Sequence, residues 1–237
     1  MKKYILAVFI ALNIVPSFIL AQSEYPLEIN YYDFIQYDKN KFTFPGDSAD
    51  FERFFAKMDT IILWGKGKLS IVHIGGSHIQ ADVYSGRTRE RLQTFYPGMN
   101  GGRGSVFPFG ISKTNTPRSY TAHYSGNWSS CRNVEISKSC NLGLSGITAS
   151  TSDTSSTVSI RLNPDSLIKY SFTRIRVFHS MDTSSYKLKI ISPHVVDIQI
   201  NRELGYSLFY LDKEYEKFSL GLSKTADSQT KFELYGI

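Results

Sequence analysis

The chain has 237 residues, 41% of them hydrophobic and 14% aromatic, which is enough apolar side chain to close a packed core and excludes a disordered chain. Its formal charge is +6, or about +4 once Lys2 and Lys3 leave with a leader; so diffuse a surplus argues against nucleic acid as a partner and for an anionic cell-envelope polymer. The five histidines are scattered with no i, i+4 pair and the two cysteines have no histidine pair near them, so neither a metal nor another cofactor is expected.

The chain opens MKKYILAVFIALNIVPSFILAQ, two lysines before an apolar stretch from Tyr4 to Leu20 and then Ala21. This pattern predicts a secretory signal peptide over residues 1–21, cleaved after Ala21, and hence a periplasmic or extracellular protein. An uncleaved anchor is the alternative. Asn13 and Pro16 interrupt the stretch, leaving it short of the ~20 residues a span needs, so no integral membrane span is expected after cleavage.

From Tyr25 to Phe44 the chain is rich in Tyr, Asn, Asp and Lys and reads as an extended lead-in packed on a domain surface. Asp47 and Ser48 offer a cap, and Phe51, Phe54, Phe55, Met58 and Ile62 recur at helical spacing, which predicts a helix from about Ser48 to Leu63. Gly65 and Gly67 end it. Leu69 to Ile74 is apolar on both faces, as in a buried central strand covered by helices on each side. Gly75 and Gly76 then permit a sharp turn, and Ile79, Val83, Leu92 and Phe95 share one side of a helix running to about Phe95.

Ser77 therefore stands between a strand end and a helix start, where α/β sheets place their ligands. It is either a capping serine or a nucleophile. The loop YPGMNGGRGSVFPFG follows, and its density of glycine suggests backbone held close to a ligand, a plain surface loop being the alternative. Arg103 within it either recognises a carboxylate or stays solvated.

After about Thr116 the pattern changes to short alternating segments: TVSIRL (157–162), TRIRVFHS (173–180), YKLKIIS (186–192), VVDIQI (195–200), YSLFYL (206–211) and KFSLGL (217–222). Strict alternation in runs of this length predicts half-buried antiparallel strands and an all-β sandwich module. Trp128, Tyr120 and Tyr124 are candidates for stacking on sugar rings or for the core. Cys131 and Cys140 in an oxidising compartment read as one disulfide closing a loop, two free thiols being the alternative.

The blocks HIGGSHIQAD, GGRGSVFPF, TNTPRSY and GLSGIT together resemble the secreted SGNH (GDSL-type) hydrolases, most nearly those related to peptidoglycan O-acetylesterases. In these a carbohydrate-binding-type β-module interrupts the catalytic domain. The resemblance implies an α/β fold: the start of a flavodoxin-like three-layer sandwich over 22–115, an inserted β-sandwich over 116–231, and a return to the catalytic sheet at 232–237. It implies Ser77 as nucleophile and as a backbone oxyanion donor and Gly143 as a further oxyanion candidate; Arg103 and Trp128, read from the residues themselves, are the glycan-contact candidates. Gly75, Ser77 and His78 match the family's first block, while Gly76 stands where an acidic residue is usual.

A serine hydroxyl needs a base, and the base an orienting carboxylate. The family's Asp-x-x-His block does not occur in residues 22–237, and the resemblance implies that the chain is an N-terminal portion whose base lies beyond Ile237. His78 is adjacent to Ser77 and diverges from it, His73 lies on the expected strand, and His179 and His194 lie on the β-module. Two functions follow. One is an exported carboxylic-ester hydrolase that deacetylates an acetylated polysaccharide or peptidoglycan, with acetyl transfer by the same serine undistinguished from it. The other is a non-catalytic glycan-binding protein or degenerate hydrolase.

Overall fold

A computed structural model describes residues 31–162 and 168–237. The expected signal peptide lies outside the described residues. No helix among them is long and apolar enough to cross a membrane. The chain divides after Phe55 into two compact units.

In the first unit Phe42, Phe44, Phe51, Phe54 and Phe55 form a chain of ring contacts with centroids 5.0 to 6.3 Å apart. Helix α1 covers Ala49–Trp64, within a residue of expectation, because Asp47 Oδ1 accepts the Ala49 N–H and leaves the helix only one way to begin. Gly65, in the left-handed region at φ 59°, closes it by donating its N–H to Ile61 O.

In the second unit the expected α/β architecture is overturned. The structure is mostly β: the described residues form ten strands in two antiparallel sheets, with the α-helices α1, α2 (Ser77–Gln80) and α3 (Val83–Thr94). It is not a flavodoxin-like three-layer sandwich. Leu69–Ile74 forms no strand and pairs with none of the described ones, and Ile71, Val72 and Ile74 are exposed. An apolar run becomes a buried strand only where neighbouring strands satisfy its backbone, and none of the described ones does. The single helix expected over Ile79–Phe95 is split, because Asp82 adopts the left-handed region at φ 60° between α2 and α3.

The strands are β1 (Tyr120–Ser125), β2 (Ser129–Arg132), β3 (Ile147–Thr151), β4 (Thr157–Leu162), β5 (Phe172–His179), β6 (Lys187–Ser192), β7 (Val195–Asn201), β8 (Tyr206–Tyr215), β9 (Lys217–Ser223) and β10 (Phe232–Gly236). One sheet runs β1-β4-β9-β6 and the other β2-β3-β10-β5-β8-β7. Their facing residues share one core, Val158, Ile160 and Leu220 from the first, Val177, Phe209 and Leu234 from the second. Period-2 alternation puts these side chains on one face, and their removal from water is the main stabilising term.

The segment expected to leave for a catalytic sheet at 232–237 instead forms β10, hydrogen-bonded to β3 on one side and β5 on the other. Phe232, Leu234 and Gly236 alternate inward, so the core holds the strand where it lies. Val106 donates its N–H to Ile237 O, and Val106, Phe107, Phe109 and Ile111 enter the same core, so the glycine-rich loop is anchored to the sheets at its far end. Tyr120 completes the anchor. Its hydroxyl accepts the Phe107 N–H at 3.1 Å and donates to Phe107 O at 2.8 Å, and burial pushes its pKa up to about 12. Cys131 and Cys140 form a disulfide.

Candidate functional site

Gly75 is needed where it stands, since a Cβ there would press on Ile79 Cγ1 as α2 turns back over it. Gly76 is not: its φ is −82° and a Cβ would meet open space. Its carbonyl accepts the N–H groups of Ile79 and Gln80, so the turn is closed by backbone alone. Ser77 begins α2 and is exposed. Its carbonyl accepts the Ala81 N–H, while its hydroxyl has no hydrogen-bond partner among the described residues. The His78 ring lies 5.7 Å from that of Tyr84, and no imidazole hydrogen-bonds to Ser77.

The residues after Ser77 hold the other blocks in place. Gln80 Nε2 donates to Thr114 Oγ1 at 2.8 Å and to Asn115 O at 3.0 Å, and Thr114 returns a bond to Gln80 Oε1. Two residues on, the Asp82 carboxylate is the hub of a buried network. Arg89 grips it with both Nη groups at 3.0 and 2.6 Å, Arg103 Nη2 donates at 3.2 Å, and Ser85 and Ser119 donate from 2.6 and 3.3 Å. Arg103 also donates through Nε to Ser119 Oγ and through Nη1 to Ser105 O, and its guanidinium lies 5.1 Å over the Tyr120 ring.

Burial acts to raise the Asp82 pKa, but the Arg89 hydrogen bonds and the charge of Arg103 outweigh it and hold the carboxyl below its ordinary value. Arg103 is lowered, by burial first and by the charge of Arg89 second, yet a guanidinium stays charged at any physiological pH. The network therefore sets two cations on one anion. Of the sequence-expected blocks, HIGGSHIQAD, GGRGSVFPF and TNTPRSY are brought together, through Gln80, Asp82, Arg103, Thr114 and Ser119.

The fourth is not among them. Gly143 lies against the last strand, where a Cβ would collide with the carbonyl oxygens of Tyr235 and Ile147, and its own carbonyl accepts the Gly146 N–H. Close backbone packing accounts for this glycine. Trp128 is half-buried against the core and its Nε1 donates to Ser125 O at 2.9 Å. Arg103 is buried and committed to Asp82 rather than solvated.

His179 makes a serine–histidine contact elsewhere, in the β-sheets. Its Nδ1 lies 2.8 Å from Ser180 O, which can only accept, so Nδ1 carries the proton and Nε2 accepts from Ser207 Oγ at 2.9 Å. Both residues are buried within the six-stranded sheet, the imidazole stacked on Phe232. The pair is structural.

Sequence reading names Arg103 but not its partners. Asp82 stands inside a quoted block with no role attached, and Arg89 and Ser119 carry no pattern that sets them apart. Only the seven-residue spacing of Asp82 and Arg89, two turns of helix, hints at the pairing.

No family model matches the chain, and no curated protein matches it. Among solved structures, a chain described as a peptidoglycan O-acetylesterase in action is similar, with a TM-score of 0.44 and 17% identity over 68% of this chain and 39% of that one. The present chain thus spans about two fifths of that protein's length.

Proposed function

We propose that the chain contributes the nucleophile segment of an exported serine esterase of the SGNH type, acting on an acetylated polysaccharide such as peptidoglycan. The observation that carries the reading is the exposed Ser77 hydroxyl, without a hydrogen-bond partner among the described residues, on a turn whose following residues bind the two other blocks through Gln80 and Asp82. A capping serine would spend its hydroxyl on its own helix; this one does not. The chemistry would be attack of Ser77 Oγ on the acetyl carbonyl, release of the sugar hydroxyl and hydrolysis of the acetyl-serine by water.

That no imidazole reaches Ser77 among the described residues favours a second reading, a glycan-binding protein without chemistry. The two separate on one experiment. The full chain is incubated with a fluorophosphonate and with an acetylated glycan, alongside Ser77→Ala. Covalent labelling and acetate release that both vanish in Ser77→Ala support the esterase; glycan retention with neither reaction supports the binding protein and overturns the esterase.

A further inference from the structure

A cleft of about 500 Å³ opens beside α3, walled by residues 67–73 and by the glycine-rich stretch 98–104. Lys68, Arg89 and Arg103 line it, and no aspartate or glutamate does. Asp82, the one carboxylate touching this group, contacts Arg89 and Arg103 from outside the lining, and Lys68 has no ion-pair partner among the described residues. Arg89 and Arg103 share the single charge of Asp82, and Lys68 is exposed and unpaired among the described residues, so the group keeps a net positive charge that favours an anion in the cleft.

The donors are defined. Arg103 makes one bond from each of its three nitrogens, which leaves one N–H on each Nη, the fork that matches a planar carboxylate. Gln93 fixes the glycine-rich wall, its Nε2 donating to Gly102 O at 2.8 Å. The rest of the wall adds the hydroxyls of Ser70 and Thr88 and the Asn100 amide, and its volume suits a ligand of sugar size.

We propose that this cleft binds a sugar acid, its carboxylate on the Arg103 and Lys68 side and its ring hydroxyls along the wall that carries Ser70 and Thr88. The site does not depend on Ser77 chemistry. The full chain is titrated calorimetrically with glucuronate, with glucose and with inorganic phosphate, at low and at high salt. Glucuronate binds, glucose does not, and added salt weakens the complex.

Lys68→Gln, an exposed change outside the Asp82 network, weakens glucuronate about three- to tenfold while leaving the fold intact, as expected for loss of one charged contact. Arg103→Gln removes binding; should it unfold, Lys68→Gln still decides. Equal binding of glucose, phosphate binding without glucuronate, no binding at all, or a Lys68→Gln protein with unchanged affinity each overturns the proposal. Ser77→Ala leaves glucuronate affinity as it was, so loss of the esterase reading and loss of this one give different results.

Discussion

Arg103 Nη2 reaches the Asp82 carboxylate at 3.2 Å across 21 residues of sequence, tying the glycine-rich loop to the left-handed residue at which α2 gives way to α3. Arg89 closes on the same carboxylate from two helix turns further along the chain, and Ser119 joins it to the start of β1. Three pieces of chain are thereby held to one another through a single side chain. Tyr120, one residue on from Ser119, continues the connection into the core.

Asp82→Asn isolates the charge, since asparagine also tolerates the left-handed backbone and keeps the shape. It leaves two arginines without their anion. The expected loss is about 3 kcal/mol, in line with breaking a buried pair by removing one partner, read as a lower urea midpoint at unchanged slope. An unchanged midpoint would show that water already serves these arginines.

His179 makes stability depend on pH in a stated direction. Burial lowers its pKa from the ordinary 6.5, the bond to Ser180 O opposing only in part, so the folded state keeps the ring neutral where the unfolded chain takes up a proton. The contribution is complete above about pH 6.5 and is lost as pH falls through the window down to the lowered folded value, at up to about 1.4 kcal/mol per pH unit. Urea titrations from pH 7.5 to 5 check this, with His179→Gln as the reference. Parallel pH profiles for the two proteins would remove His179 as the cause.

The three glycines of the sequence-expected blocks separate by substitution to alanine. Gly76→Ala, and equally Gly76→Asp, meets open space and leaves stability within about 0.5 kcal/mol. Gly75→Ala presses on the Ile79 side chain and costs about 1–3 kcal/mol. Gly143→Ala meets backbone carbonyls that cannot move without opening β10, and is the most damaging of the three. Thermal melts rank them, and a Gly76 variant that falls below Gly75→Ala would reverse the reading of the turn.

The six strands read from alternation recur within a few residues as β4 to β9, because period-2 burial leaves its mark wherever one face is apolar and the other wet. TVSIRL is β4 to the residue. β1, β2 and β3 escape that reading: YTAHYS, SSCR and ITAST are rich in small and hydroxyl side chains and alternate in neither hydropathy nor, in β1 and β3, burial. Leu69–Ile74 fails in the opposite sense, its apolarity recording a preference for burial while the neighbours that would grant it are a tertiary matter.

The sequence by itself determined where the chain alternates, where α1 begins, and that Gly-Gly-Ser marks a turn leading into helix, since each depends on residues a few positions apart. Only the tertiary structure decided that the fold is mostly β, that β10 sits between β3 and β5, and that Asp82 gathers Arg89, Arg103 and Ser119. Strand pairing and buried ion pairs join residues tens of positions apart, and their energy exists only when the intervening chain has brought the partners together and excluded water.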